Sequence, residues 1–484
     1  MTPAEPTTTA TGQGPPPTPP DAVHIETRGI DHIPDDERHG RPRDLLFVWA
    51  AANVNYLSVV LGGTLVLLGL NTWQALLVVV LGNLFWVFNG ILAVSGPVAG
   101  TPSSVQTRAI FGIRGNRVST VLTNWSVCVA YGAINLAMGA LASFALLDQL
   151  GVTVTTATRW AVVLVLAILT IVVSVFGHAL ILRLSPAFTW MLTITLTVLA
   201  GFVVADAEPG KQPVDAPQGY DLLAMALLGF TIIASNPLSW GTGSDYSRYL
   251  PADSSPRAVA GWTALGGFIP SVLLGAVGVL AGTAVDMTDP QVSLSEIMPG
   301  WFYPLFLMAI VIGSIAGNIL TMYSSGLAVQ AVGLPIKQWA AVLLDGVASV
   351  AIAAYALFVT DFIDALGQIL EITVAILGPG LAISVTDLIL RRNRYSGPGL
   401  HNETPTSAYW YHGGVNMAGI TAQILGTTTA LLFINSTDFQ GPLAVALGGA
   451  DLSALVGPVI GAGLYAVLFK RLYAPQLAAA RADA

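Results

Sequence analysis

Long uninterrupted apolar segments constrain this sequence more than any other feature. Twelve of them could each form a helix across the hydrocarbon core of a bilayer, which takes about 20 residues. Only 46 side chains are charged among 484 residues, 19 basic plus 27 acidic, and the mean hydropathy is +0.71. A soluble core of this chain length cannot bury such an apolar surplus, and a membrane β-barrel would show short alternating strands instead. The sequence therefore predicts an all-α protein that crosses the membrane many times.

The twelve predicted spans divide into two sets of five and a final pair. They are Leu45–Leu70, Trp73–Val94, Val118–Leu147, Trp160–Phe176, Pro186–Ala205, Leu222–Trp240, Ala258–Val285, Phe302–Val332, Ile336–Phe358, Phe362–Thr386, Gly413–Phe433 and Pro442–Lys470. The predicted domains are a disordered tail over 1–43, five-helix repeats over 44–205 and 221–390, two additional helices over 409–472, and a C-terminal tail over 473–484. Because five is odd, the second repeat is inverted relative to the first.

The basic residues alternate with the spans. All of the 19 except Arg159 and Lys211, which is 17, fall on one face of the predicted membrane protein. The positive-inside rule assigns that face to the cytoplasm, so both termini are predicted to be cytoplasmic in an inner or plasma cell membrane. The formal net charge of -8 does not favour a nucleic-acid partner. The oligomeric state stays open, and the pattern is compatible with a monomer.

Two spans contain residues that interrupt helices. Span 1 carries Asn53 and Asn55 ahead of a glycine pair, and span 6 ends in NPLSWGTGSDYSRYLP. Proline lacks the N–H of a helix interior and glycine is a poor helix former, so we expect span 6 to be broken. Span 1 has no proline, and the alternative that glycine is simply common in membrane helices is equally consistent with it. Discontinuous helices at corresponding places of two repeats are typical of transporter binding sites.

Four segments resemble the nucleobase-cation symporter family, specifically its purine-cytosine permease branch. They are the stretch Ser235–Pro251 with its signature around Asp245, and the segments DHIPDDERHGRPRDLLFVWAA, SGPVAGTPSSVQTRAIFGIRGN and GNILTMYSSGLAVQAVGL. The resemblance implies the leucine-transporter-type inverted-repeat fold with broken helices 1 and 6 and two further helices. It also implies uptake of purines, pyrimidines, or related rings such as allantoin, hydantoins or thiamine, with a proton or sodium ion as the co-transported species and no resident cofactor.

Span 3 carries a residue pair that suits a planar substrate. Tyr131 and Asn135 are four residues apart and share one helical face. An aromatic ring can stack on a flat heterocycle, and an amide both donates and accepts hydrogen bonds. The family has Trp where this chain has Tyr131, which leaves the preferred ring open. Packing by Tyr131 and interhelical hydrogen bonding by Asn135 are the alternatives.

The resemblance adds four substrate-binding candidates in spans 6 and 8. They are Asn236, Ser239, Trp240 and Asn318. Trp240 matches the family's second stacking aromatic residue, although an interfacial tryptophan would also fit its place near the end of a span. Asn318 matches a family asparagine that bonds the substrate.

Ion coupling is predicted to use polar groups inside the membrane. Sodium-coupled relatives provide hydroxyls before the span 8 asparagine, where this chain keeps only Ser314, together with backbone carbonyls of span 1 near Asn53. A hard cation needs several oxygen ligands, which favours a proton. Asp345 and Glu371 are the carboxylates well inside spans, and such groups are functional candidates by default. For Asp345 a structural hydrogen bond to a neighbouring helix is the alternative.

The sequence lacks the motifs that are typical of several other functional classes. The chain has no GxxxxGK[ST] phosphate loop, no HExxH pair and a single cysteine, Cys128, which argues against an ATP-driven pump, a membrane metalloprotease or a thiolate metal site. Asp245, Arg248 and Tyr249 are interpreted as a structural or gating ion pair in a cytoplasmic loop. A secondary importer of cytosine or a purine is therefore predicted, with allantoin, a hydantoin or a thiamine-related pyrimidine as alternative substrates. A channel or an intramembrane enzyme is the alternative from another class.

Overall fold

The computed structural model of the protein describes residues 29–175, 178–211, 213, 216–288, 290–333, 336–359, 362–436 and 439–473. The first five spans are Asp44–Asn53 with Leu57–Leu67, Thr72–Ala99, Ile113–Gln149, Thr156–Val175 and His178–Asp206. Spans 6 to 10 are Gly219–Leu238 with Gly243–Ser247, Pro256–Ala284, Tyr303–Ala331, Gln338–Phe358 and Phe362–Arg391. Spans 11 and 12 are Met417–Phe433 and Ser453–Leu472.

The all-helical fold is confirmed over this part of the chain. Ten of the described helices are long and apolar enough to cross a membrane, and span 1 qualifies as a bent pair of helices. Span 11 is a shorter apolar helix. The predicted start of span 12 is wrong: Pro442–Ala446 is a separate short helix, and Ser453 begins the span. Gly448 and Gly449 between them have φ values of +58° and +87°, a left-handed conformation that ends a helix.

The two sets of five spans pack in equivalent ways. Span 1 lies against spans 5 and 7, and span 6, five positions later, lies against spans 10 and 2. Span 3 packs on span 9 in the same manner as span 8 packs on span 4, while spans 3 and 8 contact each other directly. Spans 11 and 12 pack on one another and on span 10. This arrangement is the five-plus-five architecture with two added helices.

Loops that carry basic residues meet at one end of the bundle. Arg108, before span 3, and Arg117, near the start of span 3, both pair with Glu403, after span 10, at 2.9 Å. Arg248, after span 6, donates to the carbonyl of Gly29. At the opposite end Lys211 donates to the Thr283 carbonyl at 3.2 Å. These contacts place Arg108, Arg117 and Arg248 at one end of the bundle and Lys211 at the other, as the alternation predicts.

The prediction of a disordered tail over 1–43 is wrong for its second part, residues 29–43. Ile33 is completely buried, and its N–H donates to the Gly100 carbonyl at 2.8 Å. Arg38 donates to the carbonyls of Ile33 and Pro97. The backbone N–H of His39 donates to the backbone carbonyl of Tyr249. Because these backbone groups are paired, the segment packs across the basic end instead of extending into solvent. Residues 1–28 and 474–484 lie outside the described part.

Candidate functional site

The breaks in spans 1 and 6 meet at the centre of the bundle. Asn53 ends the first helix of span 1 and is fully buried. Its Oδ1 accepts a hydrogen bond from Nδ2 of Asn236 at 3.2 Å and one from the Ser271 hydroxyl of span 7 at 3.4 Å. Its Nδ2 donates to the Trp49 carbonyl at 2.9 Å. Asparagine thus joins the two discontinuous helices directly.

The backbone is interrupted at both breaks. In span 1, Val54 leaves the helical conformation with φ -76° and ψ 72°, and the two helices are bent by 53°. The Asn55 side chain donates to the Ala52 carbonyl at 2.6 Å, in the way that asparagine competes with helical backbone bonding. In span 6 the helix stops at Leu238 and resumes at Gly243. Both predicted breaks are confirmed.

Tyr131 of span 3 reaches the break in span 6. The Ser239 hydroxyl donates to the Tyr131 hydroxyl at 2.6 Å, and the Tyr131 hydroxyl donates to the Ser235 carbonyl at 3.3 Å. Trp240 is only 8% exposed. Its Nε1 donates to Asn236 Oδ1 at 3.3 Å. The alternative of an interfacial tryptophan is therefore excluded.

These contacts define a central cluster of polar and aromatic side chains from spans 1, 3, 6 and 7. Its members are Asn53, Tyr131, Asn236, Ser239, Trp240 and Ser271.

The two remaining amide candidates have unused hydrogen-bonding capacity. Asn318 is 1% exposed, and its Oδ1 has no hydrogen-bond partner in the described structure. Asn135 is partly buried and lies beside span 8, since a Cβ added to Gly317 would be 3.3 Å from its Nδ2. No hydrogen bond joins the Asn135 amide to another described residue. Both amides therefore keep hydrogen-bonding atoms that no described protein group uses.

The predicted ion-coupling residues do not form one group. Ser314 is buried beside Gly139 of span 3, and a Cβ on Gly313 would lie 3.6 Å from the Val54 carbonyl at the break in span 1. Asp345 is fully buried, and its Oδ1 accepts a hydrogen bond from the Ser325 hydroxyl of span 8 at 2.5 Å. This bond agrees with the structural alternative for Asp345.

Glu371 is also buried, at 9% exposure. Among the described side chains, no hydrogen bond links its carboxylate to the central cluster. The same part of the structure contains no group of three or more His, Cys, Asp or Glu residues that could hold a metal ion. The coupling role of these residues stays a prediction.

The ion pair predicted between Asp245 and Arg248 is not formed. Both side chains are buried, at 1% and 0% exposure, and each has other partners. Asp245 Oδ1 accepts from the Ser103 N–H at 2.7 Å, while Arg248 donates to the Tyr323 hydroxyl at 2.9 Å. The segment is thus buried between the span 2–3 connection and span 8, not exposed in a loop.

Two members of the site were missed by the sequence analysis. Trp49 packs edge-on against Trp240 with ring centroids 5.4 Å apart and an interplanar angle of 88°. Trp49 lies four residues before Asn53, so both side chains share one helical face. This spacing could have identified Trp49 from the sequence. Ser271 follows Pro270 within span 7. A hydroxyl next to a proline in the middle of a span could have identified Ser271 in the same way.

Comparison with known proteins places the chain in a transporter context. A family profile described as "Permease for cytosine/purines, uracil, thiamine, allantoin" matches residues 32–457. YxlA of Bacillus subtilis (strain 168), which carries a purine-cytosine permease name, is 26% identical over 93% of this chain and 96% of its own length. The purine-cytosine permease FCY2 of Saccharomyces cerevisiae is 22% identical over 90% of this chain and 84% of its own.

Solved structures share the fold. A closed conformation of Mhp1, a nucleobase-cation-symport-1 family transporter with bromovinylhydantoin bound, superposes with a TM-score of 0.75 at 15% identity. The match covers 93% of this chain and 97% of Mhp1. The inward-facing conformation of Mhp1 gives a TM-score of 0.71 at 16% identity, over 94% of this chain and 96% of the other. The fold predicted from the sequence is confirmed.

Proposed function

The chain belongs to the family of permeases for cytosine/purines, uracil, thiamine and allantoin, and we propose that it is a symporter that imports cytosine or a purine. It is a multi-pass membrane transporter of the nucleobase type and not an enzyme. The proposal adds the substrate ring, the direction of transport, the coupling to a proton gradient, and a cell membrane with both termini in the cytoplasm.

One observation carries the choice of a nucleobase. Asn135 and Asn318 offer amide groups without protein partners, and Asn135 shares a helical face with Tyr131, whose hydroxyl reaches the break in span 6. A nucleobase is planar and has an edge of alternating donors and acceptors, which amides can pair with. Its ring can stack on an aromatic face. In the proposed complex Tyr131 and Trp240 stack on the ring, and Asn135 and Asn318 bind its edge.

Alternating access would follow from the packing of the core. Spans 1, 2, 6 and 7 pack together on one side, and spans 3, 4, 8 and 9 on the other. Rocking of one group against the other would open the central cluster to each face in turn. The Tyr131–Ser239 bond at 2.6 Å joins the two groups, so substrate binding that competes with this bond would be coupled to the motion.

Amide substitutions test the binding site. Asn135→Ala and Asn318→Ala should each weaken equilibrium binding of cytosine or hypoxanthine about tenfold, because each removes a hydrogen bond to the substrate. Asn83→Ala is the matched control, since that buried amide in span 2 donates to its own helix at Val79 O. Unchanged affinity in both site variants would refute the assignment. A panel of cytosine, uracil, adenine, hypoxanthine, allantoin and hydroxymethylpyrimidine would identify the ring.

The coupling ion is tested separately. Ser314 is the one hydroxyl in the positions that sodium-coupled relatives use, which supports a proton as the coupled ion. Addition of substrate should therefore alkalinise a weakly buffered external medium. Uptake at fixed pH and membrane voltage should not change when sodium is replaced by choline. Acidification of the medium, or uptake that requires sodium, would contradict proton symport.

A further inference from the structure

A cavity adjoins the central cluster on the side that carries the basic loops. It has a volume of about 60 Å³ and lies between spans 3, 6 and 10. The short helices Ser103–Gln106 and Arg108–Phe111, which connect spans 2 and 3, close one side of it. Ser239 belongs to its wall, and the Ser239 hydroxyl is the group bonded to Tyr131. The cavity therefore begins where the central cluster ends. We call it the side cavity.

The side cavity presents polar groups without partners. The hydroxyls of Thr120 and Thr242 have no hydrogen-bond partner in the described structure, although these residues are only 2% and 5% exposed. Both line the cavity. An unsatisfied buried hydroxyl costs about 1–3 kcal/mol, so a structure that keeps two of them at one cavity is suited to a ligand that pairs with them.

The backbone of span 3 is irregular at the same place. Residues Val121–Trp125 form a π-helical turn, and Thr123 and Asn124 within this turn line the cavity. Single π-helical turns occur frequently at functional sites because they change the direction of nearby side chains. The Asn124 Oδ1 accepts from the Cys128 thiol at 3.5 Å, while its amide N–H groups have no partner among the described residues.

The cavity leads towards the basic end of the bundle. A smaller cavity of about 30 Å³ shares Gly241 and Ser384 with it and extends to Tyr395. Gly241 leaves space here, since the nearest atom to an added Cβ is Leu381 Cδ1 at 3.7 Å. Polar groups thus continue from Tyr131 along spans 3, 6 and 10 to the end predicted to be cytoplasmic.

We propose that the side cavity is a second binding site, which holds a neutral planar heterocycle with an amide edge after it leaves the central cluster. The hydroxyls of Thr120 and Thr242 and the amide of Asn124 would bind that edge. This inference rests on the proposed function, because it concerns the release of the same substrate.

Exchange measurements test the role of the polar groups. Thr242→Val keeps the shape of the side chain, and Asn124→Ala removes the amide. In liposomes loaded with unlabelled cytosine, both variants should exchange labelled cytosine about fivefold to tenfold more slowly, as expected for a lost hydrogen bond. The affinity of the central cluster for cytosine, measured on the purified protein, should stay within about twofold of wild type, since that cluster is intact.

Thr195→Val is the matched control, because the Thr195 hydroxyl in span 5 donates to its own helix at Met191 O. Its exchange rate should equal that of wild type. Exchange at the wild-type rate in Thr242→Val and Asn124→Ala would overturn the second site. A loss of equilibrium affinity as large as that of Asn318→Ala would also overturn it, since these residues would then belong to the first site.

The only cysteine of the chain gives a measurement on the unmodified protein. Cys128 lines the side cavity, so saturating cytosine should slow its reaction with N-ethylmaleimide at least threefold. The protection should be lost in Thr242→Val while cytosine still binds. Equal reaction rates with and without cytosine in wild type would overturn the proposal. If wild-type protein binds no ring of the substrate panel, it is the proposed function that has failed.

Discussion

The breaks in span 1 and span 6 occupy equivalent places in the two repeats but differ in origin. Span 6 has Pro237, Gly241 and Gly243 around its break, whereas span 1 has no proline there. Span 1 is nevertheless the one described span bent by more than 40° at its break, with an angle of 53°. Residues that weaken a helix thus indicate where it can be interrupted, while contacts with neighbouring spans decide how far it bends.

Those contacts are tight on the span 1 side. A Cβ on Gly278 of span 7 would overlap the Val59 carbonyl of span 1, and a Cβ on Gly62 would overlap the Gly275 carbonyl. Small residues allow backbones to approach closely in membrane bundles. Span 6 has a looser equivalent, where a Cβ on Gly243 would lie 2.7 Å from the Asn89 carbonyl of span 2. We infer that the bend of span 1 depends on this close packing against span 7.

The largest effect is expected from Gly278→Ala. The added methyl group would meet a backbone carbonyl that cannot rotate away, so we expect a loss of about 3 kcal/mol or more in stability. Thermal unfolding of the detergent-solubilised protein measures this loss. Gly261→Ala in the same helix is the control, because nothing lies within 4 Å of the added atom. A wild-type melting temperature for Gly278→Ala would remove the packing explanation of the bend.

The next effect concerns the bond that joins the two breaks. Asn53→Ala leaves Nδ2 of Asn236 and the Ser271 hydroxyl without their shared acceptor, which should cost about 2 kcal/mol and reduce uptake at least tenfold. The effect should be less than additive with Asn236→Ala, because both substitutions remove the same interaction. Additive effects in this double-mutant cycle would show that the two breaks act independently.

A smaller effect is expected at the contact between span 6 and span 3. Ser239→Ala removes the donor to the Tyr131 hydroxyl, and we expect a change of about 1 kcal/mol in substrate affinity. Isothermal titration calorimetry on the purified protein measures this change in affinity. Ser143→Ala is the control, since that hydroxyl donates only to its own helix at Gly139 O, at 2.7 Å. An equal change of substrate affinity in both variants would mean that the hydrogen bond between Ser239 and Tyr131 does not contribute to substrate binding.

The smallest effect is expected from Pro237→Ala. Proline lies within the described helix of span 6, and its replacement restores a backbone N–H without removing a side-chain contact. We expect a stability change below about 1 kcal/mol and uptake within about twofold of wild type. A large loss of uptake would mean that proline itself, and not the contacts around it, sets the geometry of the second break.

Much of the fold follows from local properties of the sequence. Span length, hydropathy and the break at Asn236–Gly243 depend on neighbouring residues, so they were predicted correctly. The N-terminal segment was predicted wrongly because its order comes from distant partners, such as the Gly100 carbonyl bound by Ile33. The prediction of an ion pair between Asp245 and Arg248 was wrong for a similar reason. Burial against the span 2–3 connection and span 8 gives each charged group a closer partner.

The sequence by itself determined a helical membrane protein, two candidate breaks, the basic face and the resemblance to purine-cytosine permeases. Only the tertiary structure decided which polar side chains meet. Asn53 and Asn236 are 183 positions apart, and no pattern in either segment encodes that distance. Hydropathy and helical periodicity report how one helix faces its surroundings, whereas a hydrogen bond between spans depends on how both helices are placed. The side cavity and the hydrogen bonds that join the members of the central cluster were therefore visible only after the spans had been packed together.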